Sequence, residues 1–596
     1  MDRRKFLIGS GATLAVATGL SKAENAFAAH NDRIIPGYSA RDLDADPQPL
    51  ATQSNDLTLY SGAWTDTTLR HLLRRAMFGV PLAQFQAAQA LGSMSAVVDK
   101  LLSDLPLPPK PASYVDLIAQ PDAADLADPN YGKYIAGQDA QRLETLRQAQ
   151  VVNWWMDLIV KENLSIREHM TLLWSNHFVT GTDVVPLTAL TYTYNQMLRR
   201  NALGNMKSFV HDVSVDPAML IYLNGNQNYD GTPPGGTRGG KGLNINENYA
   251  RELQELFTMG IFDPDDGVTP NYSETDVQQA AKALTGWGPT ATAPFQGVFY
   301  PASHNNDQKT YLGQTGNWAL DDIINIIFTY KGPNGNHDPG YTTAYWFCQK
   351  IYMEFVYYVP NPDVVKAMAA LMLQSNWDVK PVMKALLQSD HFYDAVVQNA
   401  QLKSPVNFIA SLIREFGLTY TPFDPTDPPW DGSSRDNNKV KKYTNPNVSL
   451  SYLAFSVSGT SLGQLLLQPP NVKGWPGGHN WISTGTFQQR ETYSNIFLIN
   501  PPALDGGTKV SGIKLEFLNP AIWAQALPNF ANLKSHEIAI ALTNILLNKA
   551  LGPNESGTLY SSLNAQNLPD SDFYLTDKNV SDFAIALANL PEFQLV

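Results

Sequence analysis

Residues 235–257 read GGTRGGKGLNINENYARELQELF: a glycine-rich run, a lysine, then an amphipathic segment. If the run is a phosphate cradle, the chain is an α/β nucleotide protein. If it is not, the segment after it stands as an ordinary helix and the fold follows from its neighbours. A phosphate loop requires G-x-x-x-x-G-K-[ST] directly after a strand, with the final hydroxyl on magnesium. Gly235, Gly240 and Lys241 fit that spacing, but Gly242 stands where the hydroxyl must be. The best strand-like run, AMLIYL at 218–223, ends 11 residues before Gly235. The sequence therefore predicts no nucleotide site.

The segment beyond the glycines predicts a helix of about four turns, capped by Asn244 with Glu247 at the third position and ended by Gly260. At 100° per residue, Tyr249, Leu253, Leu256 and Phe257 share one face, while Glu247, Arg251 and Glu255 form an i, i+4, i+8 charge ladder on the other. The same logic extends outward. TLRHLLRRAMFG spaces Leu69, Leu72, Leu73, Ala76 and Met77 as a helix stopping at Gly79, LSIREHMTLLWSNHF opens with Ser165 and Glu168 in capping-box register, and YSETDVQQAAKALTGW does so with Ser273 and Asp276. Further helices are predicted near 91–103, 140–161, 321–330, 343–358, 362–374, 379–389, 403–416 and 536–548. The predicted fold is mainly α: a large multi-helix domain with long loops and few or no strands.

The start of the chain has another character. Arg3-Arg4-Lys5-Phe6-Leu7, an apolar run to Leu20 too short to span a bilayer, and Ala26-Phe27-Ala28 look like a twin-arginine signal with its cleavage site. The expected organisation is a signal peptide at 1–28, a linker or extended arm at 29–60, a main helical domain at 61–500 and a C-terminal helical extension at 501–596 packed on it. The expected location is periplasmic or extracellular. Cys348, the single cysteine, excludes an internal disulfide, and no transmembrane span is predicted in the mature chain. The net charge of −13 argues against nucleic acid as a partner, and cleavage would make the chain more acidic still.

LLRRAMFG (72–79), WSNHF (174–178), DPAMLIYL (216–223), NENYARELQELFTMG (246–260), DVQQAAKALTGW (276–287), HNNDQKTYLG (304–313), KSP (403–405) and PPNVKGWPGGHNW (469–481) occur in the order of the bacterial domain of unknown function 1800 family, which the chain resembles from roughly residue 65 to 490. The resemblance implies an exported, mostly helical protein without an assigned reaction, often encoded beside another exported protein that would be its partner. The family pattern commonly has a histidine two residues before His177, where this chain has Ser175.

Several side chains could carry chemistry. His177 falls within the apolar stripe of its helix, which fits a core histidine bonded to a backbone carbonyl or an acid/base group. SHNNDQKT places His304, Asp307 and Lys309 in a turn-rich stretch, either a polar site or a hydrogen-bonded loop. Trp475 and Trp481 lie in a stiff Pro/Gly loop, as stacking platforms for sugar rings or as a lid over the core. GTSLG (459–463) matches G-x-S-x-G around Ser461, but a helical chain lacks the sheet that this nucleophile motif needs. No zinc spacing is present, and no metal or cofactor is assigned.

The residues nominated for catalysis are Glu247, Glu252, His177 and Asp307; those nominated to hold substrate are Asn246, Asn248, Arg251, His304, Lys309, Trp475 and Trp481. Together they imply an acid/base hydrolase or lyase acting on a polar, carbohydrate-like substrate, provided the separate segments meet at one recess. The alternatives are a non-catalytic binding or assembly protein and a metal- or cofactor-dependent redox protein.

Overall fold

Helix α1 (Asp66–Ala76) begins where Thr65 and Thr68 exchange capping hydrogen bonds, and it buries Leu69, Leu72 and Leu73. Beyond its end the chain turns at Gly79 (φ +74°), where a Cβ would lie 2.7 Å from the Ser411 Cα, so only glycine allows that approach. The computed structural model describes residues 48–111, 138–185, 187–234, 242–290, 295–418, 459, 461–498, 543–544, 546–547 and 577–596. The expected signal peptide, the glycine-rich run at 235–241 and most of the helix expected at 536–548 lie outside the described residues. The end of the expected arm is docked: the Tyr60 amide donates to the Gln388 carbonyl (2.8 Å) and the Gln53 amide to Asp394 (2.7 Å).

From α1 the chain continues through α2 (Leu82–Gln89), α3 (Met94–Leu101), α4 (Gln138–Lys161), α5 (Arg167–His177), α6 (Thr188–Arg200), α7 (Met206–Val215) and α8 (Pro217–Tyr222). Strands β1 (Tyr229–Gly231) and β2 (Gly242–Asn244) precede α9 (Asn248–Glu252), which runs on as a π-helical turn, Leu253–Thr258. Next come α10 (Glu274–Ala283), β3 (Trp287–Pro289), β4 (Gly297–Phe299), β5 (Lys309–Tyr311), β6 (Gln314–Gly316), α11 (Leu320–Phe328), α12 (Tyr341–Phe355), α13 (Pro362–Gln374), α14 (Val379–Leu387), α15 (Pro405–Glu415), α16 (Thr484–Leu498) and α17 (Asp577–Ala588). The described strands pair only as antiparallel ribbons, β1 with β2, β3 with β4 and β5 with β6. The fold is mainly α, as the periodicity predicts.

Two apolar clusters hold the helices. The larger joins α1 to α3 and α5 to α14 around Trp174, Phe178, Phe209, Phe257 and Phe347; the smaller joins α4, α15, α17 and the 462–481 stretch around Trp155, Phe408 and Phe593. At their junction Glu168 and Arg199 form a buried ion pair, with Nε donating to Oε1 at 2.7 Å and Nη2 to Oε2 at 2.8 Å. Trp155 Nε1 adds a third bond to the same carboxylate at 3.1 Å.

Three expectations are corrected here. AMLIYL is helix α8, because Asp216 caps the Ala218 amide (2.8 Å) and Pro217 supplies a preset first turn. Glu168 is not the capping partner of Ser165: it is claimed by Arg199, and the Glu168 amide is capped instead by Glu162 Oε1 at 2.9 Å. Asn244 does not cap the helix after the glycines, since ribbon pairing opposite Tyr229 holds it in β2; Asn246 Oδ1 takes the Asn248 amide at 3.0 Å.

Candidate functional site

Asn228 is the hub between two of the nominated segments. Its Oδ1 accepts the Asn246 amide (3.0 Å), its Nδ2 donates to the Ala281 carbonyl (2.8 Å), and its own carbonyl takes the Gly286 amide (3.1 Å). These bonds tie the start of α9 to the end of α10. One step further, His304 Nδ1 meets the Thr285 carbonyl at 3.1 Å, and the Asn305 side chain donates to Asp230 of β1 at 2.7 Å. The Asn246–Glu252 turn and the His304–Lys309 loop therefore belong to one polar seam, held by β1 and the end of α10.

Within that seam most polar groups are already bonded to protein. Lys309, only 1% exposed, donates its ammonium to the carbonyls of Asn305 (2.7 Å) and Asp307 (2.8 Å), closing the loop on itself, and burial pulls its pKa below the usual lysine range. Asp307 accepts from Asn305 Nδ2 at 3.2 Å. Burial likewise lowers the pKa of His304, whose imidazole packs against Phe299. Arg251 bridges Glu247 (3.2 Å) and Glu274 of α10 (2.9 Å), so the ladder drawn from the sequence closes onto a neighbouring helix instead of Glu255. Asn248 reaches the Leu223 carbonyl at 3.4 Å. Glu252 is half-buried, and its charge bears on Tyr222 and Tyr272.

His177 lies on the apolar side, away from this polarity. Its Nε2 is 3.0 Å from the Phe257 carbonyl in the π-helical turn, among the rings of Trp174, Phe178 and Phe347. Burial pushes its pKa down to about 3, with Lys350 adding to the effect, so the ring is neutral. The core reading holds. A helix that widens to i→i+5 pairing leaves its last carbonyls in need of donors, and His177 supplies one.

The tryptophans are not stacking platforms. Trp475 is 4% and Trp481 8% exposed, both packed into the smaller core, so neither offers a face to a sugar. Their loop is pinned to α5 by Asn176, which accepts the Trp475 amide (2.6 Å) and donates to its carbonyl (3.2 Å). Ser461, at the centre of the G-x-S-x-G match, pairs with the Tyr493 hydroxyl at 2.8 Å.

One cluster escaped sequence reasoning. Asp263, Asp265 and His337 bring ligand-type atoms within 4.8 Å of one another, a set able to hold a divalent cation. The same atoms are mutually satisfied by protein charges. His337 Nε2 lies 2.9 and 3.0 Å from the two Asp263 oxygens, and Asp265 receives Lys366 (3.1 Å) and the Tyr341 hydroxyl (3.0 Å). FDPDDG and GNHDPG carried the residue types, but 74 positions separate the partners.

A helical scaffold whose irregular connections are tied by amide-rich seams is the class of protein these features define. The chain matches the family model described as "Protein of unknown function (DUF1800)" over residues 71–595, and it belongs to that family. No curated protein and no solved structure matches it. Among the described residues, no helix is long and apolar enough to cross a membrane.

Proposed function

We propose that the chain is an exported binding protein for a polar, carbohydrate-like ligand, and that it is not an acid/base catalyst. One observation carries this reading: most of the groups nominated for proton transfer are committed to structural bonds. His177 is given to the Phe257 carbonyl, Glu247 to Arg251 and Asp307 to the turn at Asn305. An acid/base pair needs two groups free to reach a substrate, with environments that push their pKa values apart. Export is supported by the Arg3-Arg4-Lys5-Phe6-Leu7 start and the Ala26-Phe27-Ala28 site.

The test is to purify the mature protein from its native envelope and identify co-purifying small molecules and metals by mass spectrometry, alongside turnover assays on glycosides. Glu252→Gln and Glu247→Gln are expected to leave ligand binding intact. A glycoside turned over by the wild type and not by a folded Glu252→Gln variant would replace this reading with the catalytic one.

A further inference from the structure

We propose that the cleft bounded by Pro270–Asp276, Leu312–Gln314 and Thr329–Gly335 is the binding site, and that it takes a hydroxyl-rich ligand of one or two sugar rings. This rests on the binding function proposed above and gives it a place. The cleft is open to solvent and has a volume of about 670 Å³, within the ordinary range for small-molecule sites and enough for a disaccharide.

Its frame is rigid, and building the frame uses up its carboxylate. Asp276 Oδ1 accepts the Leu312 amide (2.8 Å), and Oδ2 accepts the Ser273 amide (2.8 Å) and hydroxyl (2.6 Å), so the start of α10 holds the β5–β6 turn. Tyr330 ties in the third segment by donating to the Asn271 carbonyl at 2.9 Å. Behind that segment the Gly340 amide bonds the Tyr330 carbonyl (2.9 Å), the His337 amide bonds the Lys331 carbonyl (3.0 Å), and the His337 ring is anchored on Asp263.

What remains unspent suits a sugar. The half-buried Tyr272 presents a phenol with no hydrogen-bond partner among the described residues, and Gln314 and Lys331 stand exposed at the rim. Tyr272, Leu312, Pro270 and Pro333 give the apolar surface on which a ring can lie. In the wall, Asn271 turns its amide nitrogen to the carbonyls of Met259, Gly260 and Phe262, and its Oδ1 has no hydrogen-bond partner among the described residues. Among the described residues Lys331 lines the cleft without an ion-pair partner, so a ligand carboxylate would be answered there while a neutral sugar would not need it.

The test uses isothermal titration calorimetry of the full chain with cellobiose, chitobiose and digalacturonate. The wild type is expected to bind at least one. Tyr272→Ala and Gln314→Trp are expected to weaken that binding at least tenfold, Lys331→Ala to weaken digalacturonate alone, and Lys380→Ala, on another surface, to change nothing. If the wild type binds and neither cleft variant matters, the location is wrong while the binding function stands. If none of the three binds, the proposed ligand class is overturned; if the envelope-purified protein also carries no polar ligand, the binding function falls with it.

Discussion

Glu168→Ala offers a sharp test of how the two cores are joined. The Glu168 side chain is 2% and that of Arg199 0% exposed, and the carboxylate serves α4 through Trp155 as well as α6 through Arg199. Truncation would strand a guanidinium that, among the described residues, keeps the Asn195 (2.8 Å) and Gln196 (3.1 Å) side-chain oxygens on Nη1 and the Trp154 ring at 4.9 Å. Removing one partner of a buried pair costs about 3–5 kcal/mol, and the orphaned Trp155 N–H places this case at the upper end. Glu168→Gln keeps an acceptor and should cost less, about 1.5–3 kcal/mol for a lost charged hydrogen bond. The double variant Glu168→Leu/Arg199→Met removes both charges and should recover much of the loss, since apolar replacement of a buried pair is often neutral.

Urea unfolding followed by tryptophan fluorescence and far-ultraviolet circular dichroism measures all three. Lys384→Ala, which breaks an exposed pair with Asp99, serves as the reference at a few tenths of a kcal/mol. A loss below about 1 kcal/mol for Glu168→Ala would refute the reasoning, because a pair so cheap to break is not the desolvated junction described above.

Acid sensitivity should come partly from buried neutral histidines. Burial pushes His71 and His177 down to about 3, whereas an unfolded histidine protonates near pH 6.5. Between those values the unfolded chain binds more protons, so stability falls as the pH falls from about 6.5 towards 3. His177→Gln should flatten that slope in denaturation series at pH 7.5, 5.5 and 4.5; an unchanged slope removes His177 from the account. Gly260→Ala meets a φ of +72° and a Trp346 ring 2.7 Å from the new Cβ, and should cost about 1–3 kcal/mol in the same unfolding assay. Trp475→Ala should lower stability by about 3–5 kcal/mol, as expected for a buried indole, with ligand affinity measured by calorimetry unchanged. Affinity lost at full stability would return that residue to the binding surface.

The helices were legible where local rules act alone. Ser273 and Asp276 form the expected capping box, and the stripe of Tyr249, Leu253 and Phe257 is buried. Misreadings arose where a local pattern had a competing tertiary partner. Ser165 and Glu168 have capping spacing, but a carboxylate beside a buried guanidinium gains more from that charge than from a helix amide. AMLIYL looked like a strand by composition, although the Asp216-Pro217 pair before it is a helix-start signal that outweighs the apolar run. The π-helical turn was not legible at all. Its carbonyls draw on donors from two other helices, His177 of α5 at Phe257 and Trp346 of α12 at Leu256, and those partners lie far from Leu253–Thr258 in the sequence.

The nominated site fared unevenly for a physical reason. Irregular backbone carries unpaired N–H and C=O groups, and the cheapest way to satisfy them is with nearby Asn, Asp, His and Lys side chains. Polar residues in loops therefore stand out in a sequence whether they serve the backbone or a ligand. Asn228, Asn246, Asn305 and Lys309 serve the backbone here, each through bonds of 2.7–3.2 Å. The distinguishing property is a polar group left over after the backbone has been satisfied, and only the folded arrangement shows which groups those are. Among the described residues, Tyr272 and Lys331 meet that condition, beside the unpartnered Oδ1 of Asn271. None of the three lies in a motif that reads as chemical, so recognition by this protein is expected to depend on residues chosen by exclusion and not by signature.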